Sequence, residues 1–324
     1  MQDEFRTIVI VDKSDHLLNH ESNILLQGSC FAENIGAKLS TLKFNSLSNP
    51  FGISYNPISI HQNIIRNEVL ESELQNIEGI HFSYQLHSEL NSDTREGLRH
   101  NINQAVKKQR AILEKNGALF ISYGTAWVYE LKENNTLVNN CHKQPSKLFR
   151  KRMLSVDEIT ASWKETYVYL KANFPKKNIL FTVSPVRHLK DGIRENQLSK
   201  STLHLAVAEI CSTFNNCNYF PAYELMMDDL RDYRFFKDDF IHPNQLAINY
   251  IWDKFSTSYF EPTTVLLNRQ IEKLNTSLQH RAFQPDSKKH QQFLLNLKSK
   301  IKAFQLVHDL DFKTEIDFIK SQIL

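Results

Sequence analysis

The stretch Ile24-Leu25-Leu26-Gln27-Gly28-Ser29-Cys30 runs directly into Phe31, Ala32, Ile35 and Leu39. Three consecutive apolar residues before a glycine predict the end of a buried strand. Apolar residues recurring at i, i+4 and i+8 predict an amphipathic helix immediately after it. A strand that feeds a helix this quickly needs a sharp turn, and Gly28 allows one without a Cβ clash. Units of this kind build open α/β sheets, which bind ligands outside the carboxyl ends of their strands. Ser29 would then sit near a helix N-terminus, where backbone N–H groups stabilise an anion. A Gly-Ser pair at this place also reads as a plain turn with a helix N-cap.

The rest of the chain repeats the pattern. Lys43 to Ser48 alternates as a second strand and ends in Asn49-Pro50-Phe51-Gly52-Ile53-Ser54-Tyr55-Asn56-Pro57, a loop signalled by two Asn-Pro steps around a glycine. Pro57 can open a helix carrying Ile58, Ile60, Ile64 and Ile65. Residues 68–98 read as a polar insertion, and a helix is expected from Arg99 to Asn116. Ala118 to Tyr123 is a third strand ending at Gly124, followed by a hairpin with Trp127 to Leu131 and Leu137-Val138 as its arms. Ser155-Val156-Asp157-Glu158 is a capping box. Asn178 to Val183 is a fourth strand of the buried parallel kind, and Ser199 to Phe214 an amphipathic helix. A short fifth strand is expected at Asn218 to Pro221. The short apolar patch Ile8 to Val11 reads as an arm or an edge strand.

Two features suggest chemistry. Ser184-Pro185-Val186-Arg187-His188 follows the fourth strand, on the same rim as Ser29 if the sheet is parallel, so Arg187 and His188 are candidates for binding substrate. Asp239 and His242 form Asp-x-x-His just before a helix with Pro243 in its first turn. That spacing lets Asp239 orient the His242 ring through Nδ1 and leaves Nε2 free to accept a proton from a nucleophile.

Residues 28–32 spell Gly-Ser-Cys-Phe-Ala, the name motif of the GSCFA family, and that family resembles the SGNH (GDSL-like) hydrolases over roughly residues 20–260. The resemblance implies a three-layer α/β/α, flavodoxin-like domain with an open parallel sheet of about five strands. It implies an ester hydrolase, with deacetylation of a carbohydrate among the activities such enzymes carry. Ser29 would be the nucleophile, His242 the base and Asp239 its orienter, through an acyl-serine intermediate. Gly52 matches the oxyanion-hole glycine after the second strand, although a plain turn glycine is the other reading, and Asn49 could brace that loop or line the pocket. SGNH enzymes carry Gly-x-Asn after the third strand, where this chain has Gly124-Thr125-Ala126. The missing amide donor is expected from Asn140, with His142 as a pocket contact, in a run Asn140-Cys141-His142-Lys143 that also reads as a polar loop. The rivals are a binding protein that kept the fold and lost turnover, and an acyltransferase using the same serine.

From Glu261 onward the composition turns polar and helical, so the chain divides into a domain over 1–260 and a helical extension over 261–324. Phe293, Leu294, Leu297, Ile301 and Phe304 make one apolar stripe. It suits either packing on the domain or a homodimer contact. The net charge of +3 gives no sign of a nucleic-acid partner, and no apolar run approaches the roughly 20 residues of a membrane span. The charged N-terminus lacks an apolar signal region. The four cysteines form no C-x-x-C pair and no metal pattern, so a reduced cytoplasmic setting is expected, with no metal and no cofactor.

Overall fold

A computed structural model gives the fold and describes residues 7–280 and 282–324. The chain opens with β1 (Asn23–Gly28), α1 (Cys30–Thr41), β2 (Asn45–Ser48) and α2 (Pro57–Ile65). A small hairpin, β3 (Leu74–Ile77) and β4 (Ile80–Ser83), precedes α3 (Arg95–Leu113) and β5 (Gly117–Tyr123). Then come β6 (Trp127–Leu131), β7 (Leu137–Val138), β8 (Phe149–Met153), α4 (Val156–Asn173), β9 (Lys177–Val183) and α5 (Ile193–Thr213). The remaining elements are β10 (Cys217–Tyr219), a short α6 (Ala222–Glu224), α7 (Gln245–Tyr259), α8 (Pro262–Leu278), α9 (Lys288–His308) and α10 (Lys313–Lys320).

Five strands form one parallel sheet in the order β10-β9-β5-β1-β2. Numbered by their own succession, that is 2-1-3-4-5, the flavodoxin-like order. The chain leaves β1 to one side for β2 and returns on the other side with β5. The carboxyl ends of β1 and β5 therefore flank the switch point, where such sheets bind ligands.

Side-chain alternation along the strands builds two cores. Ile24 and Leu26 of β1 and Phe120 of β5 join Phe31, Ile35 and Leu39 of α1 and Trp252 and Phe255 of α7 on one face. Leu25, Leu119, Ile121 and Phe181 meet Ile60, Trp163, Leu203 and Ile210 of α2, α4 and α5 on the other. The result is a three-layer α/β domain.

The helical tail is part of the first core. Ile271 of α8, Leu294, Leu297 and Ile301 of α9, and Ile316 and Ile319 of α10 are buried in the same cluster as Ile24 and Phe31. The apolar stripe of α9 thus packs inward, with Phe293 and Phe304 partly buried beside it. Lys43 bonds Glu315 at 2.6 Å, which pins α10 to the end of α1.

Several boundaries differ from the sequence reading. Helix α3 begins at Arg95 because the Thr94 hydroxyl caps it, accepting the Gly97 N–H at 3.0 Å. Helix α5 begins six residues earlier than expected, at Ile193 rather than Ser199. Strand β8 pairs antiparallel with β6, opposite β7, and Ile8 to Val11 forms no strand. The N-terminal arm is held instead by the Val9 N–H donating to Asp229 Oδ1 at 2.6 Å. The capping box at Ser155 forms as expected.

Candidate active site at the sheet switch point

The turn after β1 is locked on every side. Gly28 has φ +130°, and a Cβ there would lie 2.1 Å from the Ser122 carbonyl oxygen of β5, so only glycine fits. Its N–H donates to Asn49 Oδ1 at 2.7 Å, while Asn49 Nδ2 donates to Glu33 Oε1 at 2.7 Å. Asn49 therefore braces the turn against α1.

Ser29 is the N-cap of α1 and has no exposed surface. Its N–H donates to the Ser122 carbonyl at 3.0 Å. Its hydroxyl pairs with the Ser122 hydroxyl at 2.8 Å and accepts the Phe31 N–H at 3.2 Å. The expected nucleophile is thus closed off in this structure, because an N-cap side chain folds back onto the first helical turn. Cys30, the first residue of α1, is half-buried. Burial pushes its thiol pKa up, and the Lys200 ammonium, the N–H groups of Cys30 and Phe31, and Lys237 pull against that.

The Asp-x-x-His pair forms as the spacing requires. Asp239 Oδ2 lies 2.7 Å from His242 Nδ1, and Asp239 Oδ1 accepts the N–H groups of Ile241 and His242, each at 2.9 Å. These bonds hold the Asp239 carboxyl down at about 2. An ionised carboxylate only accepts, so Nδ1 carries the imidazole proton and Nε2 is the free acceptor. Both side chains are nearly half exposed.

No hydrogen bond among the described residues joins this pair to the turn, and the groups near the two act on one another electrostatically. Burial lowers the pKa of His188, and Lys200 and, least, His242 add to it. The His188 ring meets Tyr55 edge-on, 5.1 Å between centroids, and the Tyr55 phenol is raised by burial and by Cys30. The Lys237 N–H donates to the His242 carbonyl at 2.8 Å, on the loop whose ammonium acts on Cys30. Burial holds the His188 imidazole at about 4, which keeps it neutral near pH 7.

Lys200 of α5 was not singled out by the sequence reading. It is 1% exposed, and its ammonium donates to the carbonyls of Gly124 at 2.8 Å and Ser184 at 2.7 Å. It thereby fastens the loops after β5 and β9 together, and burial brings its pKa to about 7. A charged residue in the middle of an amphipathic helix reads as a solvated face, so only its fully buried position reveals it.

The remaining expected contributors hold other contacts. The Gly52 N–H donates to the Asn49 carbonyl at 2.7 Å, so it is a turn glycine with no free proton for an oxyanion. Ala126 is buried in the core beneath β5, and its N–H donates to Ser199 Oγ at 2.8 Å. The Asn140 N–H bonds the Tyr84 carbonyl at 3.2 Å, and Asn140 Oδ1 accepts the His142 N–H at 2.8 Å. His142 Nε2 bonds the Ser83 carbonyl at 2.9 Å. These contacts tie the 139–143 loop to the β4 insertion, and no hydrogen bond among the described residues ties it to the Gly28–Cys30 turn.

A cleft of about 560 Å³ lies between the end of α2, β3 and the β6–β7 hairpin, lined by Arg66, Glu73, Tyr84 and Gln85 among others. It has no cysteine or histidine in its wall. Among the described residues no group of three or more His, Cys, Asp and Glu side chains could hold a metal ion, and no helix is long and apolar enough to cross a membrane.

The family model described as GSCFA family matches residues 23–255, which hold the whole sheet, the turn and the Asp-x-x-His pair. A second, described as GSCFA domain protein, C-terminal domain, matches residues 271–324. A search of curated proteins gives no match.

Proposed function

The chain belongs to the GSCFA family, and from that premise and the geometry of the β1 turn we propose that it is an ester hydrolase working through a covalent acyl-enzyme on Cys30. The carrying observation is the division of labour at the turn. Ser29 is buried and bonded, whereas Cys30 is only half-buried at the helix N-terminus, where Lys200 and Lys237 oppose the rise that burial gives its thiol pKa.

His242 Nε2 takes the proton from Cys30 Sγ, and the thiolate attacks the ester carbonyl carbon. The first-turn N–H of Cys30, which has no acceptor within the helix, faces the developing oxyanion. Collapse expels the alkoxide, which leaves with the proton from His242. Water then attacks the thioester, His242 removes its proton, and the acid departs with the thiol restored. Asp239 fixes the ring tautomer throughout. No step calls for a metal or a cofactor. A carbohydrate ester is one substrate consistent with this chemistry.

The test is to quench the protein with acid during turnover of p-nitrophenyl acetate and map the acetylated peptide by mass spectrometry. Acetyl on Cys30, absent in Cys30→Ala, is expected. Acetyl on Ser29 would return the nucleophile to the serine. No acetylated residue and no ester cleavage would favour a ligand-binding protein instead.

A further inference from the structure

We propose that the ester taken by this site carries an anionic group, and that Arg187 receives it. The inference rests on the acyl-enzyme reading above, since it concerns the substrate of the same site.

Arg187 follows β9 at the carboxyl rim of the sheet, next to His188. Its Nε is buried and has no partner, and among the described residues no carboxylate forms an ion pair with it. Its charge acts on Lys200 and Tyr223. Lys200 bonds only carbonyl oxygens, and Lys237 has no ion pair among the described residues.

Three acids of these segments are engaged elsewhere. Asp239 holds His242, Asp191 holds Lys151, and Glu224 accepts the Tyr219 hydroxyl at 2.8 Å. Arg187 and Lys237 thus have no ion pair of their own among the described residues.

A second donor points the same way. Asn196 is 2% exposed, and its Oδ1 accepts the His188 N–H at 2.9 Å, yet its buried Nδ2 has no partner. Buried donors without partners are costly, and an unpaired guanidinium more so. Arginine also presents a planar fork that matches carboxylate and phosphate. An unpaired Arg187 Nε and an unpaired Asn196 amide, on two segments joined by the bond from the His188 N–H to Asn196, are the donor set for an anion on the substrate.

The experiment reads binding apart from turnover. The wild-type protein is titrated by calorimetry with uncleavable amide analogues in charged and neutral pairs. N-phenylsuccinamic acid against butyranilide places the anion on the acyl side. 4-Acetamidobenzoate against 4-acetamidobenzamide places it on the leaving side. One charged member should bind about 10–100-fold tighter than its neutral partner, as expected for hydrogen bonds to a charged group. Arg187→Gln should abolish that ratio and Arg187→Lys should keep part of it. The favoured pair states where the anion lies. Equal affinities within both pairs, no binding in either, or a ratio unchanged in Arg187→Gln overturns the proposal. The acetyl-Cys30 measurement is independent of these outcomes, so the substrate class and the reaction can fail separately.

Discussion

Ser29 and Cys30 are neighbours in different surroundings, one a fully buried N-cap and the other a half-buried first helical residue. An N-cap side chain accepts a first-turn N–H and stays close to its own backbone, whereas the next residue projects from the helix start. Ser29→Ala should therefore act on stability. It removes the cap to Phe31 and the bond to Ser122, a loss of about 0.5–2 kcal/mol. Iodoacetamide should still alkylate Cys30 in this variant, at a rate close to wild type, as read by peptide mass. Loss of alkylation in a folded Ser29→Ala protein would tie the two residues into one catalytic unit. The N-cap rule was legible in the sequence. The hydroxyl stands out in the sequence because serine is the usual nucleophile after the first strand of the superfamily that the family resembles; its bond to Ser122 of β5 is not legible, because that residue is 93 positions away in the chain. Lys200 and the bonded state of the Gly52 N–H were not legible, because both depend on what other loops bring to the rim.

At the scale of elements, the sequence carried the sheet well. Three of its strands, β1, β5 and β9, carry apolar runs bounded by turn residues, and all five appear within a few residues of their expected places. Strand β8 escaped because Phe149-Arg150-Lys151-Arg152-Met153 reads as a charged loop; its arginines are in fact drawn in by Glu130 at 2.5 and 2.6 Å. The apolar stripe of α9 was visible, but its partner was not, since periodicity gives a face and not what covers it. The covering is α8 and the α1 side of the sheet, so the tail should melt with the domain. Ile301 has no exposed surface, and Ile301→Ala should cost about 2–5 kcal/mol. Because Trp252 lies in the same cluster, its fluorescence should report a single urea transition at lower midpoint in the variant. An unshifted Trp252 transition would mean that the tail unfolds on its own.

Across the whole molecule, the buried histidines predict how the fold responds to acid. His61 of α2 is 1% exposed, with Nδ1 2.9 Å from Ser162 Oγ and Nε2 2.5 Å from Tyr123 OH. Burial between Trp163 and Tyr123 lowers its pKa from 6.5 to about 3. The folded imidazole therefore stays neutral while the unfolded one takes a proton below pH 6.5. Its contribution is complete above pH 6.5 and is lost progressively as pH falls towards 3. His20, His142, His188 and His204 are lowered in the same direction and act in the same window. The carboxylates with lowered pKa values, Asp239 and Glu158 among them, lose their contributions only below their usual range, near pH 4. Between pH 6.5 and 5 the slope of stability against pH is thus a histidine slope. At up to 1.4 kcal/mol per pH unit per group, His61 alone accounts for roughly 2 kcal/mol lost over that interval. His61→Gln keeps polar atoms near Ser162 and Tyr123 but cannot titrate. It should lower stability at pH 7.5 yet lose about 2 kcal/mol less than wild type when both are taken to pH 5. Urea unfolding at the two pH values measures this difference directly. An identical loss in both proteins would show that His61 carries its proton in the fold, and the acid sensitivity would then rest with the histidines of the rim.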